Sequence, residues 1–249
     1  MTYCVGIVLD EGMVFASDSR TNAGVDNVSS FSKMRVFEKP GDRVIVALSS
    51  GNLSITQSTI ALLEQNSRRQ EGGQSIWSAQ SMYDVATLLG DTMRQVRVRD
   101  GAFLQQSNVD VTANFIVGGQ IKGEEPRLFL VYSEGNFIEA SSLAPFLQIG
   151  ETKYGRPVLD RVITRSSSLV EAAKCALVSF DSTMRSNISV GLPIDLVVYD
   201  TDTLKIGTRR RIEETDPYYS MIHREWGEGL RRVFTELPDP DWRSLQTAK

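Results

Sequence analysis

The chain has 249 residues, of which 41% are hydrophobic and 23% are charged, and its formal net charge is -4. This length suits one large domain or two small ones, and the composition is typical of a folded globular protein. Because acidic residues outnumber basic ones, the protein has no net positive charge to attract a phosphate backbone, so we expect no nucleic-acid partner. No apolar run approaches the roughly 18 residues of a membrane-spanning helix, and no signal-peptide pattern is seen, so we expect a cytoplasmic protein without a membrane partner.

The chain contains one histidine, His223, and two cysteines, Cys4 and Cys175. Zinc sites and Ser-His-Asp or Cys-His arrangements all draw on imidazole, and one histidine in an aromatic, charged tail provides no such cluster. Two cysteines so far apart form neither a disulfide framework nor a CxxC metal site. The sequence therefore predicts no metal and no cofactor, and an enzyme built on it needs a base other than imidazole.

The first half of the chain begins with four predicted strands and continues with two helices. Residues 2–9 and 13–17 are apolar and flank the turn sequence DEG, while residues 33–38 and 43–49 flank KPGD. Such turn residues between apolar runs are typical of hairpins. Across residues 53–96 the apolar spacing becomes three, four and seven, which predicts two helices separated by the polar sequence EGGQS.

The second half of the chain repeats this alternation of strands and helices. Six segments are predicted as strands, at residues 109–119, 127–132, 136–140, 145–150, 193–200 and 203–207. Two helical patterns lie between the fourth and the fifth of these strands. Runs of strands alternating with pairs of helices predict sheets with helices on their outer faces. Because several strands are apolar on both faces, we predict an α+β fold, a four-layer αββα sandwich that forms a single domain over residues 1–214.

A tail of residues 215–249 follows this domain and is rich in aromatic and charged residues. Trp226, Leu230 and Val233 have the helical spacing of four and three. An apolar stripe beyond a completed core has to be buried on its own domain or on a neighbour. We expect the tail to be an extension that helps a homo-oligomer assemble.

Thr2 directly follows Met1, and its small side chain predicts that removal of the methionine leaves Thr2 as the mature N-terminus. The hydroxyl is a weak nucleophile unless a base takes its proton, and a free α-amine with a pKa of about 7.7 to 8.0 can do so. A chain without a usable histidine would thus have a base. Threonine follows the initiator methionine in many proteins without any catalytic role, so this position alone defines no site.

Three further features follow Thr2 in a specific order. Asp18 lies in SDSR at the end of the second predicted strand, Lys33 begins the third, and Gly51 ends SSG where the fourth strand meets a helix. With these features, residues 2–207 resemble a proteasome β-type subunit, which is a threonine-dependent N-terminal nucleophile hydrolase. The resemblance implies the same αββα fold, self-assembly, and hydrolysis of peptide or protein substrates without a cofactor.

The resemblance implies that Thr2 is the nucleophile, Asp18 the acid of the DSR motif and Lys33 the active-site lysine. Lys33 near the amine would lower the pKa of the amine, and Asp18 would keep Lys33 charged and oriented. Gly51 matches the glycine whose N–H forms the oxyanion hole, and its place before a helix adds a favourable dipole. A plainer reading makes Asp18 and Lys33 an ordinary surface ion pair and Gly51 a strand-to-helix turn.

The same matching assigns six positions to substrate binding, and they could equally belong to the core or to the rim of a pocket. Their mixture of side chains does not name a preferred substrate residue. The six are Thr21, Asn22, Phe31, Arg35, Ser49 and Leu53.

Two segments depart from the pattern of the family. Residues 150–152 are Gly-Glu-Thr where β-subunits commonly have Gly-Ser-Gly, and residues 185–191 are RSNISVG where they have Arg-Asp-x-x-Ser-Gly. Ser189 is retained as a catalytic position by the resemblance, whereas Ser186 stands in place of the aspartate. We expect Glu151 to supply the missing carboxylate, with Ser186 as a further supporting position, and we expect activity to be weak or conditional.

Within the family, the long tail, the position of Thr2 and the sequence GETKYGRP at residues 150–157 resemble a bacterial branch. This resemblance implies an open, helically staggered ring of identical subunits, and it leaves any unfoldase partner unknown. Three functions stay open: a threonine peptidase, a small-amide amidohydrolase of the same chemistry, and a weakly active or degenerate subunit that only assembles. The first is favoured because the resemblance is to self-compartmentalising peptidases. Retention of Thr2, Asp18 and Lys33 together counts against the third, because assembly alone gives no stability reason to keep them.

Overall fold

A computed structural model describes residues 1–22, 28–68 and 74–240, without the side chains of residues 21, 22 and 28–30. The strands of this part are β1 (Tyr3–Val8), β2 (Gly12–Asp18), β3 (Arg20–Asn22), β4 (Val28–Ser30), β5 (Met34–Lys39), β6 (Arg43–Gly51), β7 (Ala113–Ile121), β8 (Arg127–Val131), β9 (Phe137–Glu139), β10 (Phe146–Gly150), β11 (Ile194–Asp200) and β12 (Thr208–Ile212). The helices are α1 (Leu53–Arg68), α2 (Met82–Gln106), α3 (Arg156–Val162), α4 (Leu169–Ser186) and α5 (Pro217–Glu236).

Two antiparallel five-stranded sheets face each other. The first has the strand order β10-β1-β2-β11-β12 and the second has the order β5-β6-β7-β8-β9, while β3 and β4 form a small separate hairpin. All six residues of β1 are buried, because Tyr3, Val5 and Ile7 pack toward helices and Cys4 and Val8 pack toward the second sheet. Burial of both faces explains why this strand is apolar at successive positions.

Helices cover the outer face of each sheet. The second sheet packs on α1 and α2, and the first packs on α3, α4 and the beginning of α5. Ser81 and Ser168 begin α2 and α4 with capping boxes, in which each serine accepts from the N–H three residues later. The predicted four-layer αββα sandwich is confirmed. None of the described helices is long and apolar enough to cross a membrane.

The closing strand is not where the sequence pattern placed it. The prediction of a strand at residues 203–207 is wrong, since β12 comprises Thr208–Ile212. Asp202 and Leu204 have positive φ angles of 64° and 47°, so the chain turns through the predicted strand, with Leu204 buried in that turn. The hairpin of β3 and β4 was not predicted either.

Within the tail, Pro217–Glu236 forms α5, as the helical spacing predicted. Tyr219 and Ile222 in its first half are buried in the core of the first sheet, and Trp226 packs partly against it. His223 Nδ1 lies 2.6 Å from Asp181 Oδ1 of α4, so the single histidine connects the two helices. The second half of α5 and the residue that follows it leave an apolar stripe exposed, made of Leu230, Val233, Phe234 and Leu237.

Candidate active site

Asp18 and Lys33 form a buried ion pair that connects the two sheets. Asp18 ends β2 of the first sheet and Lys33 immediately precedes β5 of the second, with Lys33 Nζ donating to Asp18 Oδ2 at 2.7 Å. The side chain of Asp18 is fully buried and that of Lys33 is 7% exposed. Lys33 Nζ also donates to the carbonyl oxygen of Arg20 at 2.7 Å. The expected contact between the two residues is present, and their burial excludes the reading as a surface pair.

Asp18 also holds the beginning of β1. Its Oδ1 accepts the backbone N–H of Tyr3 at 3.0 Å, while Oδ2 accepts from Lys33. Burial raises the pKa of the Asp18 carboxyl above its ordinary value of 3.8, and the Lys33 ammonium is the largest influence that opposes this rise. One carboxylate therefore binds both a lysine and the residue that follows Thr2.

Thr2 is half-buried just before β1, and Met1 before it is exposed. The carbonyl oxygen of Thr2 accepts the N–H of Glu151 at 2.7 Å, just beyond the pairing of Tyr3 with Gly150 in β10. The backbone of Thr2 is thus held by β10 while its next residue is held by Asp18. This fixes the N-terminal end of the chain beside the buried ion pair.

Glu151 begins a short chain of hydrogen bonds next to Thr2. Its buried carboxylate accepts from Asn187 Nδ2 at 3.0 Å, and Asn187 Oδ1 accepts the N–H of Ser189 at 3.0 Å. The structure therefore brings two predicted residues, Glu151 and Ser189, together through a residue that sequence reasoning missed. Asn187 directly follows α4 in a polar run, and that position between two predicted residues was the available signal.

Ser186 lies apart from this chain of hydrogen bonds. It is exposed at the last residue of α4 and lines a cavity between α4 and α5 together with Trp226 and Leu230. No hydrogen bond joins its side chain to Asp18, Lys33 or Glu151 in the described part of the structure. A supporting role for Ser186 stays a prediction.

Gly51 ends β6 with φ +100°, and α1 begins at Leu53. A Cβ at this position would lie 2.2 Å from the carbonyl oxygen of Thr112, so the backbone geometry alone requires glycine here. Asn52 between them accepts the N–H groups of Ser54 and Ile55 and caps the helix. The strand-to-helix turn is thus established, and the oxyanion role of Gly51 stays a prediction.

A cleft of about 430 Å³ opens beside Lys33. Three of the predicted substrate positions, Phe31, Arg35 and Ser49, line it. Leu53 is half-buried at the first residue of α1 and is not part of its lining. The backbone of Thr21 and Asn22 lies in β3, and their side chains lie outside the described part of the structure.

Asp195 is a second residue that the sequence reasoning missed. This residue of β11 accepts the hydroxyls of Ser19 and Ser32 at 3.1 and 2.8 Å and the guanidinium of Arg211 at 3.0 Å. It thereby fixes the residues that immediately follow Asp18 and precede Lys33. In the sequence, Asp195 could be noticed only as an acidic residue within an otherwise apolar strand.

A comparison with known protein families matches most of this chain. The profile described as "Proteasome subunit" covers residues 2–199. The chain belongs to the proteasome subunit family. The proteasome subunit beta of Haloquadratum walsbyi is 26% identical over 215 residues, which are 86% of this chain and 79% of that protein.

Solved structures place the similarity within a particular group of the family. Anbu, the ancestral beta-subunit, from Yersinia bercovieri is 48% identical with a TM-score of 0.91, covering 96% of this chain and 99% of that one. An Anbu (Gly-1) mutant from a Hyphomicrobium species is 46% identical with a TM-score of 0.91, covering 97% and 100%. The Anbu complex from Pseudomonas aeruginosa, solved as a helical assembly, is 48% identical with a TM-score of 0.91, covering 96% and 98%.

Proposed function

We propose that this protein is a self-assembling threonine peptidase of the proteasome type, with Thr2 as its nucleophile once Met1 is removed. The observation that carries the proposal is the buried Asp18, which binds both the N–H of Tyr3 and the ammonium of Lys33. Burying an ion pair costs several kcal/mol of desolvation for each ion, so such a pair is a poor device for stability alone. Met1 is exposed, which suits its removal.

The proposed reaction assigns one step to each group. Thr2 Oγ1 attacks the carbonyl carbon of a peptide bond while the α-amine of Thr2 takes the hydroxyl proton. The charge of Lys33 favours the free-base form of that amine, and the N–H of Gly51 donates to the oxyanion. The C–N bond then breaks as the α-ammonium of Thr2 gives its proton to the leaving amine, and water hydrolyses the resulting ester to regenerate Thr2.

Glu151, Asn187 and Ser189 form the proposed support of the amine. The backbone of Glu151 holds the carbonyl of Thr2, and its carboxylate is held in turn by Asn187. This carboxylate takes the part that an aspartate plays in the commoner family pattern. The cleft beside Lys33 is the proposed place for a substrate side chain, with Phe31, Arg35 and Ser49 in its walls.

Assembly into a homo-oligomer is the second part of the proposal. The apolar stripe at the end of α5, formed by Leu230, Val233, Phe234 and Leu237, is exposed on the single subunit and is suited to contact a neighbouring copy. A helical arrangement is known for the Anbu complex of Pseudomonas aeruginosa, and we extend an open ring or helix of this kind to the present chain. The buried free thiols of Cys4 and Cys175 suit a reducing, cytoplasmic compartment.

Intact-mass spectrometry combined with active-site labelling tests the nucleophile. The purified protein should have the mass of the chain lacking Met1, and a peptide β-lactone should add its acyl group to Thr2. Thr2→Ser should retain labelling, while Thr2→Ala should abolish labelling and peptide hydrolysis. Retention of Met1, or full labelling of Thr2→Ala, would contradict the mechanism.

The same preparation distinguishes the two competing functions. A small-amide amidohydrolase would hydrolyse simple amides and leave denatured casein and fluorogenic peptides intact. A subunit that only assembles would give the full assembly mass by light scattering with no labelling of Thr2. Labelling together with peptide cleavage supports the peptidase.

A further inference from the structure

The cleft beside Lys33 has walls from both sheets. The segment that leads into β5 forms one side, α1 forms another through Ile60 and Glu64, and Arg209 of β12 reaches it from the edge of the first sheet. Arg209 was not among the positions matched to the family pattern. Its presence in the cleft is a property of this fold that the sequence did not reveal.

The cations of the cleft differ in whether they have a partner. Lys33 is neutralised by Asp18 at 2.7 Å, and Arg35 by Glu64 at 2.6 Å. Among the described residues, Arg209 forms no ion pair or side-chain hydrogen bond, although it lines the same space. Counted over the residues that the structure describes, the cleft therefore carries one positive charge that no carboxylate neutralises.

The alternation of β12 explains why Arg209 points to the cleft. It pairs with Val197, whose side chain is buried between the two sheets, so Arg209 shares that face. Arg210 pairs with Leu196, which packs toward the helices of the first sheet, and it does not line the cleft. Charged residues on an edge strand hinder pairing with the edge of another sheet, and this general role explains why two exposed arginines occur in β12. It does not explain why one of them adds an unpaired charge to the cleft.

We propose that Arg209 makes this cleft select an acidic substrate side chain, so that the substrates are peptides with glutamate or aspartate at the position that enters it. This inference rests on the proposed peptidase function. A guanidinium binds a carboxylate through two parallel hydrogen bonds, and none of the donors of Arg209 is used by another described side chain. Ile60 lines the same cleft and offers an apolar surface to the methylene groups of a bound glutamate side chain, while Glu64 is paired with Arg35.

Three fluorogenic acetyl-tripeptide coumarin amides, with Glu, Leu or Lys before the cleaved bond, test the selection. The kcat/KM for Glu should exceed that for Leu by about fivefold, because a solvent-accessible ion pair is worth up to about 1 kcal/mol. Lys should be the poorest of the three, and the preference should weaken at high salt. Arg209→Gln should remove the advantage of Glu over Leu, and Arg209→Glu should reverse the order of Glu and Lys.

Arg210→Gln is the matched control, since it removes the same charge from the opposite face of the same strand. It should leave the order of the three substrates unchanged. If Leu or Lys is cleaved as well as Glu, or if Arg210→Gln changes the order as much as Arg209→Gln does, the inference is overturned.

A binding experiment distinguishes failure of this inference from failure of the proposed peptidase function. The same three peptides, with a simple carboxamide in place of the coumarin amide, are titrated by isothermal calorimetry against Thr2→Ala protein, which should not cleave them. If none of the substrates is cleaved by the native protein, the peptidase function fails, and the binding series still decides whether the cleft prefers Glu. Equal affinity of the three peptides for Thr2→Ala would overturn the acidic preference even if cleavage occurs.

Discussion

Gly150 lies directly against the carbonyl group of Thr2. A Cβ atom built on Gly150 would be 2.0 Å from the Thr2 carbonyl oxygen, and Gly150 has φ +84°. The pairing of Tyr3 with Gly150 at the edge of the first sheet produces this close approach. The position of Thr2 therefore depends on a neighbour without a side chain.

Gly150→Ala should displace Thr2 and slow its labelling by a peptide β-lactone about a hundredfold, because small misplacements of a reacting group are costly. The strain of an alanine at this φ should also lower the free energy of unfolding by about 1 to 3 kcal/mol. Labelling rates and urea denaturation measure the two effects separately.

Gly41→Ala is the matched control for this substitution. Gly41 has a similar φ of +76°, and a Cβ there would have nothing within 4 Å. It should show the conformational destabilisation without the loss of labelling. If both variants label at the native rate, Gly150 does not position the nucleophile.

The buried pair of Asp18 and Lys33 should couple strongly in a double-mutant cycle. Lys33→Met should lower the free energy of unfolding by about 3 to 5 kcal/mol, because it leaves the buried Asp18 carboxylate without a cation. Asp18→Asn should lower it by less, because the neutral amide removes the buried negative charge and its oxygen still accepts one of the two hydrogen bonds. The double variant should lose less than the sum of the two. Urea denaturation gives the three values, and simple additivity would contradict the interaction. All three variants should lose Thr2 labelling.

Activity should fall in acid as Asp18 takes up a proton. Burial raises the pKa of Asp18, so protonation begins at a higher pH than for an exposed aspartate, and Lys33 then loses its anionic partner. The effect on stability has the opposite sign. Because the pKa of Asp18 is higher in the folded protein than in the unfolded chain, proton binding to Asp18 stabilises the fold. This stabilisation is fully present below the unfolded-state pKa near 3.8 and is lost as the pH rises through the folded-state pKa.

Labelling rates and urea denaturation as functions of pH check both statements. The acid limb of labelling should lie above pH 3.8. The pH dependence of unfolding that is due to Asp18 should disappear in Asp18→Asn. An acid limb at or below the ordinary aspartate pKa would show that another group controls it.

Glu151→Gln should slow labelling by about tenfold or more, because the proposed support of the Thr2 amine loses its charge. The side chain keeps its size and can still contact Asn187, so the free energy of unfolding should change little. Glu125→Gln makes the same charge change at an exposed position and should leave the labelling rate unaltered. Undiminished labelling of Glu151→Gln would remove Glu151 from the mechanism.

The elements and contacts that the sequence predicts correctly are those in which the local pattern agrees with burial or with a family motif. The residues of β1 are apolar at successive positions because both faces are buried, and Asp18 and Lys33 occupy strand ends where a family motif made them visible. Sequence reasoning failed at β12, where the segment Thr208–Ile212 contains three arginines and only Ile212 is buried. An exposed edge strand has no apolar alternation, whereas Leu204 in the preceding turn is apolar because the turn buries it.

The role of Asn187 was out of reach for a similar reason. It depends on how the end of α4 approaches Glu151 after β10, a contact between residues 36 positions apart in the chain. Arg209 likewise reaches the cleft through the packing of two sheet edges. The polar run around Asn187 marked its position, but the partner of each side chain is set by tertiary packing and is visible only in the folded structure.

The exposed half of α5 leads to the last prediction, which concerns assembly. Deleting the whole tail would not test it, since Tyr219 and Ile222 belong to the core of the subunit. Phe234 is 78% exposed on the single subunit, so Phe234→Glu should leave the free energy of unfolding of the subunit unchanged while lowering the assembly mass measured by light scattering. Leu143→Glu is the control, because Leu143 is 97% exposed in a turn far along the chain from α5. An unchanged assembly mass for both Phe234→Glu and Leu230→Glu would place this stripe outside the contact between subunits.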